Sequence, residues 1–323
     1  NHGSRKSNHG SPIVVINSSP YYNSFMTRPR TLKAIRSLTD DTDAIVEAGE
    51  LIDMRFPSGS SMSLRGGKLF HLLIQAAGVD VAEDRTHKIT LASLNETFHV
   101  NVPELIQLIN ELHTTTLNLK LTDSQGRRYT KTGPIISDVE REDEATDQAE
   151  VRFQFSPAMR KAIANSNHWA VISKRAVLAF ESRYALRLYT VLSLRAGLRK
   201  TSEDFTLEDL RNLLGVPHGK LLKWQDLKSW AIERAIAEVN QLAGFHAGYV
   251  PIKRGRKIVG VSLTWGMKDH QSRVEAMKEL DRPKVGRKAR RNGSAEAIIN
   301  AEGNEREALS VALSSVFDKG SKP

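Results

Sequence analysis

The stretch that decides the fold covers residues 221–265 and reads LLKWQDLKSW AIERAIAEVN QLAGFHAGYV PIKRGRKIVG VSLTW. Its first half predicts an amphipathic helix, because apolar residues recur at helical spacing. The side chains expected to face the core are Leu227, Ala231, Ile232, Ala235, Ile236 and Val239. Its second half predicts a β-hairpin, because polar and apolar residues alternate over residues 259–265. Pro251 lacks the N–H that a central strand donates, so its strand is expected at a sheet edge.

An earlier stretch repeats the pattern that precedes this helix. Residues 89–100 read ITLASLNETFHV, and residues 205–216 read FTLEDLRNLLGV. Thr90 and Thr206 take the predicted N-cap positions, where a hydroxyl accepts a free backbone N–H. The apolar stripe of the first copy matches that of the second, and the paired residues are Leu91, Leu94 and Phe98 with Leu207, Leu210 and Leu214.

The elements around the two repeats come in the same order. A predicted helix precedes each repeat and ends at Gly78 or Gly197, and a longer predicted helix follows, over residues 102–113 or 222–242. Alternating strands then close each copy, over residues 117–121 and 151–155 in the first and 259–265 in the second. A chance match between two short amphipathic helices is the alternative, but the common order favours duplication. The predicted fold class is therefore α+β, with two tandem winged-helix (winged helix-turn-helix) domains related by internal duplication.

The predicted domain organisation has four parts. Residues 1–30 form a disordered leader, residues 31–160 the first winged-helix domain, residues 161–270 the second, and residues 271–323 a basic, largely disordered tail. Within the first domain, short helices are predicted over residues 31–38 and 43–52. The tail holds six cations between residues 282 and 291 and is expected to add sequence-independent affinity for a polyanion. Residues 294–317 are compatible with an amphipathic helix.

Composition narrows the class of protein. A formal net charge of +10 and a pI near 9.7 favour a polyanionic partner, with nucleic acid first. The chain contains no cysteine, which excludes disulfides and thiolate metal sites. Its apolar runs are much shorter than the roughly 20 residues of a membrane span, and no signal peptide is evident. We expect a cytoplasmic protein with no membrane partner.

Catalytic motifs are not found in the sequence. Gly66-Gly67-Lys68 resembles the end of a phosphate loop, but Met62 stands where the first glycine is needed and Leu69 replaces the metal-binding hydroxyl. The acidic run over residues 138–147 has no metal-ligand spacing and is expected to be a solvated loop. The scattered histidines His168, His218, His246 and His270 form no ligand pair. The sequence therefore predicts no enzyme, no metal and no cofactor.

The candidate DNA-binding residues fall into three groups. On the helix, Gln225 is suited to adenine, Lys228 to guanine, and Ser229 to a base or a phosphate. Arg234 is expected to reach a phosphate or the carboxylate of Glu238. The full sets are Lys223, Gln225, Lys228, Ser229, Glu233 and Arg234 on the helix, Lys253, Arg254, Arg256 and Lys257 on the hairpin, and Arg127, Arg128 and Lys131 as a weaker hairpin in the first domain.

Three segments carry a resemblance to a known family. They are Glu181-Ser182-Arg183-Tyr184-Ala185-Leu186-Arg187-Leu188-Tyr189, Ala235-Ile236-Ala237-Glu238-Val239-Asn240 and Pro251-Ile252-Lys253-Arg254-Gly255-Arg256-Lys257. They resemble the iteron-binding plasmid replication initiators, over about residues 60–267. The resemblance implies two winged helices that read opposite ends of a direct repeat in double-stranded origin DNA, without a catalytic site. It places the recognition role on residues 223–233 and the wing role on residues 253–257.

The same resemblance implies partners. Members of this family melt adjacent AT-rich DNA and help to load the host replicative helicase, with the host initiator as a further partner. A homodimer formed through the first domain represses the protein's own gene at an inverted repeat, and a monomer binds the iterons. Two alternatives stay open at this point. One is a tandem winged-helix transcriptional regulator without a replication role, and the other is an origin-nicking nuclease.

Overall fold

The computed structural model describes residues 29–57, 61–123, 125–141 and 150–293. Two similar units follow one another along the chain, each with three helical elements and a three-stranded sheet. The helices and strands up to the end of the first unit are α1 (Arg30–Ser37), β1 (Ala44–Ala48), α2 (Gly49–Ile52), α3 (Leu64–Ala77), β2 (His87–Thr90), α4 (Leu91–Asn95), α5 (Val102–Thr114), β3 (Thr116–Thr122), β4 (Arg128–Pro134), β5 (Ile136–Arg141) and β6 (Glu150–Phe155).

The connection and the second unit complete the fold. The connecting elements are α6 (Pro157–Asn165), β7 (Trp169–Ser173) and α7 (Lys174–Ala179), and the second unit contains α8 (Arg183–Ser193), β8 (Ser202–Thr206), α9 (Leu207–Leu214), α10 (Trp224–Asp226), α11 (Glu233–Leu242), β9 (Phe245–Arg254) and β10 (Lys257–Met267). Two further helices, α12 (His270–Asp281) and α13 (Arg287–Arg291), follow it. In the described part of the chain, none of these helices has the length and apolar character to cross a membrane.

The repeated segments form the predicted helices with the predicted caps. The Thr90 hydroxyl accepts the N–H of Ser93 at 3.1 Å, and the Thr206 hydroxyl accepts the N–H of Asp209 at 3.0 Å. Most of the matched apolar stripe is buried, namely Leu91, Leu94, Phe98, Leu210 and Leu214. A strand precedes each cap, β2 in the first unit and β8 in the second. The same local order in both units supports duplication.

The sheet of the second unit has the order β8-β10-β9, with all pairs antiparallel. Strand β10 is central and buries Val261, Leu263 and Trp265 in the core. Pro251 lies on β9, which is the edge strand that the sequence predicts for it. Three helical elements packed with a three-stranded antiparallel sheet, in this chain order, form a winged helix. The predicted fold class is therefore confirmed.

The sheet of the first unit has the order β2-β6-β5. Strands β5 and β6 are therefore the counterpart of β9 and β10, whereas β3 and β4 form a separate hairpin. The predicted first-domain wing residues Arg127, Arg128 and Lys131 lie on this separate hairpin. The segment that joins β5 to β6, residues 142–149, lies outside the described residues, and its sequence is EDEATDQA.

Residues 43–52 differ from the prediction of one helix. Residues 44–48 form strand β1, which pairs antiparallel with β7 in the register Val46↔Val171, and only residues 49–52 are helical. The strand is buried on both faces, so its sequence lacks the alternation of polar and apolar residues that marks a half-buried strand. Its partner is more than a hundred positions away in the chain, so the local pattern predicted a helix instead. This pairing also joins residues on either side of position 160. The four-part domain division stays a prediction.

The predicted disordered tail is wrong for residues 271–291. These residues form α12 and α13, and Arg287 is among the most completely buried side chains in the described structure, at 1% exposure. Arg282, Arg287 and Arg290 pair with Glu279 of α12, and Arg291 pairs with Glu181 and Glu238 earlier in the chain. These contacts hold the segment against the rest of the structure. The predicted leader before residue 29, the acidic loop over residues 142–149 and the predicted helix over residues 294–317 lie outside the described residues.

Arginine side chains join the two units. Arg187 of α8 donates from Nε to the Leu213 carbonyl at 2.9 Å and from Nη2 to the Met54 carbonyl at 2.7 Å. Burial lowers the pKa of Arg187 to about 9. Arg195 pairs with Asp53 of the first unit at 2.8 Å and with Glu203 of the second at 3.0 Å. These contacts tie residues 53–54 to the second winged helix.

Candidate nucleic-acid interface

The candidate interface begins with one continuous helix over residues 224–242, here called the composite helix. It consists of α10, a π-helical segment over Leu227–Ile232 and α11. The predicted core residues Leu227, Ala231, Ile232, Ala235 and Val239 are buried, and Ile236 packs against the core while partly exposed. The remaining face of the helix is left to solvent.

Three predicted DNA-binding residues lie on this open face or just before it. Lys223 is the residue before the first helical turn, and Gln225 and Ser229 follow within the helix. All three are exposed, and among the described residues their side chains have no hydrogen-bond or ion-pair partner. These side chains are therefore available to a ligand, and their contact with DNA stays a prediction.

Lys228 and Glu233 are not free. Lys228 Nζ lies 3.4 Å from Glu233 Oε1, and the hydroxyl of Tyr249 on β9 donates to the same oxygen at 3.1 Å. Burial, together with the hydrogen bond to Glu233, raises the pKa of Tyr249 to about 12. Trp224 also meets the Tyr249 ring edge-on, with 6.4 Å between ring centroids. These contacts connect the start of the composite helix to the sheet that carries the hairpin.

Arg234 makes a different contact from the one predicted. Its guanidinium lies 4.0 Å from the centroid of the Trp230 ring, in a cation–π arrangement. The predicted partner, Glu238, is buried, and its Oε2 accepts the N–H groups of Glu181 and Ser182 at 2.9 and 3.2 Å. Glu238 faces the core and α8, so Arg234 cannot reach it from the outer face.

Sequence reasoning missed Trp230, whose side chain is 54% exposed on the composite helix. Leu222, 68% exposed just before the helix, is a second large apolar side chain in solvent. Exposed tryptophan is uncommon and marks recognition surfaces, where it is enriched. The signal was present in the sequence, because the buried positions 227, 231 and 235 leave 230 and 234 one turn apart on the outer face.

The basic turn, residues 253–257, is the second part of the interface. Gly255 adopts φ +61°, a left-handed conformation that glycine takes without steric cost. The side chains of Lys253, Arg254, Arg256 and Lys257 are exposed, and within the described structure none of them has an ion pair or hydrogen bond. Like charges crowded around one turn repel each other, so this turn favours an anionic partner.

The hairpin of β3 and β4 offers fewer free cations. Arg127 Nε donates to Asp123 Oδ2 at 2.8 Å, which neutralises its charge locally. Lys131 Nζ lies 3.5 Å from the Pro157 carbonyl. The side chain of Arg128 is exposed and unpaired in the described part of the chain. This hairpin therefore presents fewer unpaired cations than the basic turn.

Metal ligands do not converge in the part of the chain that the structure describes. No group of three or more His, Asp or Glu side chains is placed to hold an ion there. His71 is buried, and its Nδ1 contacts the carboxylate of Glu47. This contact gives the histidine a structural role.

Comparison with protein families gives two matches. Residues 44–193 match the family described as "Initiator Replication protein, WH1", and residues 206–265 match the family described as "Initiator Rep protein, WH2". The two matches occur in chain order and cover both winged helices. Comparison with curated proteins gives no match.

Solved structures give further matches. The crystal structure of the Pi initiator protein in complex with iteron DNA aligns with a TM-score of 0.51 and 16% identity, over 70% of this chain and 98% of that chain. Domains 2 and 3 of RctB align with a TM-score of 0.38 and 12% identity, over 62% of this chain and 80% of that one. The WH1 domain of MSBI1.176, a replication protein isolated from a multiple sclerosis patient, aligns with a TM-score of 0.25 and 19% identity, over 33% of this chain and 83% of that one.

The Pi alignment supports a shared fold, because it spans nearly the whole of that chain and most of this one. The family matches agree with the order of the two units and with the internal repeat. The chain therefore belongs to the initiator Rep protein family, with a WH1-type winged helix followed by a WH2-type winged helix.

Proposed function

We propose that this protein initiates plasmid replication by binding direct repeats, the iterons, in double-stranded origin DNA within the bacterial cytoplasm. The observation that carries the proposal is the free basic turn beside the open face of the composite helix. The cations of residues 253–257 have no partner among the described residues, whereas Arg287, Arg290 and Arg291 further along the chain pair internally. The charge available to a polyanion is concentrated where a winged helix meets DNA.

The two parts of the interface have different tasks in this proposal. The open face of the composite helix enters the major groove, where Gln225 and Lys228 read base edges and Ser229 contacts a base or a phosphate. Trp230 and Arg234 extend this face by one turn. The basic turn contacts the phosphate backbone and so contributes affinity without sequence preference. Tyr249 and Trp224 hold the helix and the sheet of the hairpin in a fixed relation.

Family membership supports the wider role. The structure of the Pi initiator protein contains iteron DNA, and we extend that kind of ligand to this chain. Two winged helices on one face of B-form DNA lie about one turn apart, roughly 34 Å, which gives a site on the order of 20 base pairs. We further propose origin melting, loading of the host helicase with the host initiator, and autorepression by a dimer formed through the first domain. We propose no catalytic step and no cofactor.

The test is selection of bound duplexes from a random library by the intact protein at two salt concentrations. An asymmetric motif of about 20 base pairs, in two blocks about one turn apart, is the expected result. The double variant Gln225→Ala/Lys228→Ala should lose one block and keep the other. A single palindromic motif would favour a transcriptional regulator. If no sequence is enriched and the affinity for all duplexes falls steeply as the salt concentration rises, sequence-specific recognition is rejected. Strand cleavage in Mg²⁺ would point to a nuclease.

A further inference from the structure

Helices α12 and α13 lie beyond the residues that match either family description, which end at 265. We propose that they form a clamp between the two winged helices, with Arg287 as its positioning residue, and that this clamp sets the spacing at which the two domains read DNA. The second part of this proposal rests on the proposed function. The first part, the clamp itself, does not.

Arg287 is the centre of the clamp. It is 1% exposed, and its guanidinium donates to Glu279 Oε1 at 3.3 Å and to the carbonyls of Ala179, Glu279 and Arg282 at 3.1 to 3.3 Å. A buried guanidinium is tolerated only when its donors are satisfied, because desolvation of the charge is costly. The carbonyl of Ala179 belongs to the last turn of α7, where the helix dipole favours a cation. Arg287 therefore holds α13 onto the end of α7.

Helix α7 is anchored to the first winged helix. It follows directly from β7, which pairs with β1, and Lys68 of α3 donates from Nζ to the Leu178 carbonyl at 2.8 Å. The last two carbonyls of α7 thus receive one cation from the first unit and one from α13. A second link on this side joins Arg175 of α7 to Asp281 of α12 at 2.9 Å.

The other side of the clamp contacts α11 of the second winged helix. Gln241 of α11 donates to the Arg287 carbonyl at 3.1 Å, and Arg291 Nε donates to Gln241 Oε1 at 2.8 Å. Arg291 also lies 3.8 Å from Glu238, the residue whose carboxylate holds the N-terminal end of α8. Helix α11 is the second half of the composite helix, so the clamp reaches the element that is expected to enter the groove.

A single carboxylate organises the interior of the clamp. Glu279 receives Arg287, Arg290 and the more exposed Arg282, each within 3.3 Å. A buried polar cluster of this kind is satisfied in one geometry, so it specifies an orientation more sharply than apolar packing does. Together with Arg187 and Arg195, the clamp fixes the two units at two separate places.

The consequence for DNA follows from helical geometry. One base pair inserted between two recognition blocks moves the second block by about one tenth of a turn. A protein whose domains are held in one orientation rejects such a site, whereas one with a loose joint adapts to it. The clamp therefore predicts a strong preference for one spacing.

The experiment uses the full chain and three forms of the clamp. Arg287→Met removes the central guanidinium, and Arg282→Met, which removes a half-exposed arginine from the same carboxylate, is the matched control. Should Arg287→Met fail to fold, Glu279→Leu/Arg287→Met removes the two buried charges together, and only the more exposed Arg282 and Arg290 lose their carboxylate. Because the chain has no cysteine, Lys120→Cys and Asp204→Cys place one spin label on each winged helix without further changes.

The first readout is the distance distribution between the two labels without DNA. The unaltered clamp and Arg282→Met should give one narrow distribution, and Arg287→Met a broad one. The second readout is affinity for the selected duplex with the natural spacing and with one to three inserted base pairs. The intact protein should lose about tenfold per altered spacing, and Arg287→Met about threefold or less.

The two readouts separate the possible failures. A folded Arg287→Met protein with an unchanged distance distribution would overturn the clamp. A broadened distribution with an unchanged spacing preference would overturn its role in setting the spacing. If the unaltered protein selects no sequence, the proposed function fails, and the label distances still decide whether the clamp exists.

Discussion

Lys228 and Glu233 are ion-paired at 3.4 Å although they lie five positions apart in the chain. The π-helical segment over Leu227–Ile232 explains this pairing, because π-helical hydrogen bonds connect residues five apart and bring them to one side of the helix. In a regular α-helix the residue four positions on would be the neighbour. The local change in winding therefore places a carboxylate beside the lysine that is expected to read guanine.

Glu233→Gln should release Lys228 and remove a negative charge from the surface that faces DNA. We expect affinity for unrelated duplexes to rise by roughly three- to tenfold at low salt, and discrimination between sequences to fall. Lys228→Ala should cost about 1 to 3 kcal/mol at one or two base positions. Fluorescence anisotropy on matched and unrelated duplexes measures both effects. Glu208→Gln, which changes an exposed glutamate on α9, is the control. An equal rise in affinity in this variant would mean that net charge alone determines the effect.

Trp230→Ala should weaken DNA binding while leaving the fold intact. The side chain is 54% exposed, so the free energy of unfolding should change by less than about 1 kcal/mol. Loss of this anchor and of its stack on Arg234 should cost about 1 kcal/mol or more in binding. Trp265→Ala is the comparison. That side chain is 3% exposed and donates to the carbonyls of Arg195 and Lys200, so its loss should cost about 3 to 5 kcal/mol in unfolding. Unchanged binding by folded Trp230→Ala would remove Trp230 from the interface.

Arg256→Ala should weaken binding to all duplexes by a similar factor and lower the salt slope by about one. Arg127→Ala changes an arginine of the same type at another hairpin turn, but one whose charge is paired with Asp123. Its effect on the salt slope should be smaller. Titrations at four or more salt concentrations give both slopes. Equal slopes for the two variants would show that the pairing of Arg127 has no bearing on DNA contact.

Lys68 should make stability depend on pH in the alkaline range. Burial, with a smaller contribution from Lys284, lowers the pKa of Lys68 from 10.5 to about 8. Between these values the unfolded chain keeps a proton that the folded chain has released, so this residue makes the free energy of unfolding rise with pH from about 8 to 10.5. Urea unfolding at pH 8, 9 and 10 should show this rise, and Lys68→Met should reduce it. Identical pH dependence in both proteins would contradict the assignment.

Local pattern was sufficient for most helices and for the fold class. Thr90 and Thr206 cap the predicted helices, Gly78 ends α3 in a positive-φ conformation, and Pro251 lies on the edge strand. Each of these outcomes depends on residues that are near one another in the chain. The free side chains of the composite helix were predictable for the same reason, since a helix with one known buried stripe leaves the opposite face open.

The features that sequence reasoning missed depend on distant partners or on small changes of winding. Strand β1 forms only because it pairs with β7. Arg287 is buried rather than solvated because it donates to the carbonyl of Ala179, 108 positions earlier in the chain. The π-helical segment changes which side chains lie next to one another without changing the pattern of apolar residues. The ion pair between Lys228 and Glu233 therefore cannot be predicted from α-helical spacing. Charge alone did not distinguish Arg291, which pairs internally, from Arg256, which does not.

The two hairpins that hold equivalent places in their sheets differ in charge. The sequence that joins β5 to β6 contains Glu142, Asp143, Glu144 and Asp147, whereas the basic turn, residues 253–257, contains four cations. Two related halves whose equivalent stretches of sequence carry opposite charge give the molecule two different ends. On the direct repeats that the proposed function requires, we expect every copy to bind in the same direction, so that neighbouring copies share one polarity. Inverting a single repeat should then reverse one bound molecule relative to its neighbours and interrupt the uniform polarity of the row.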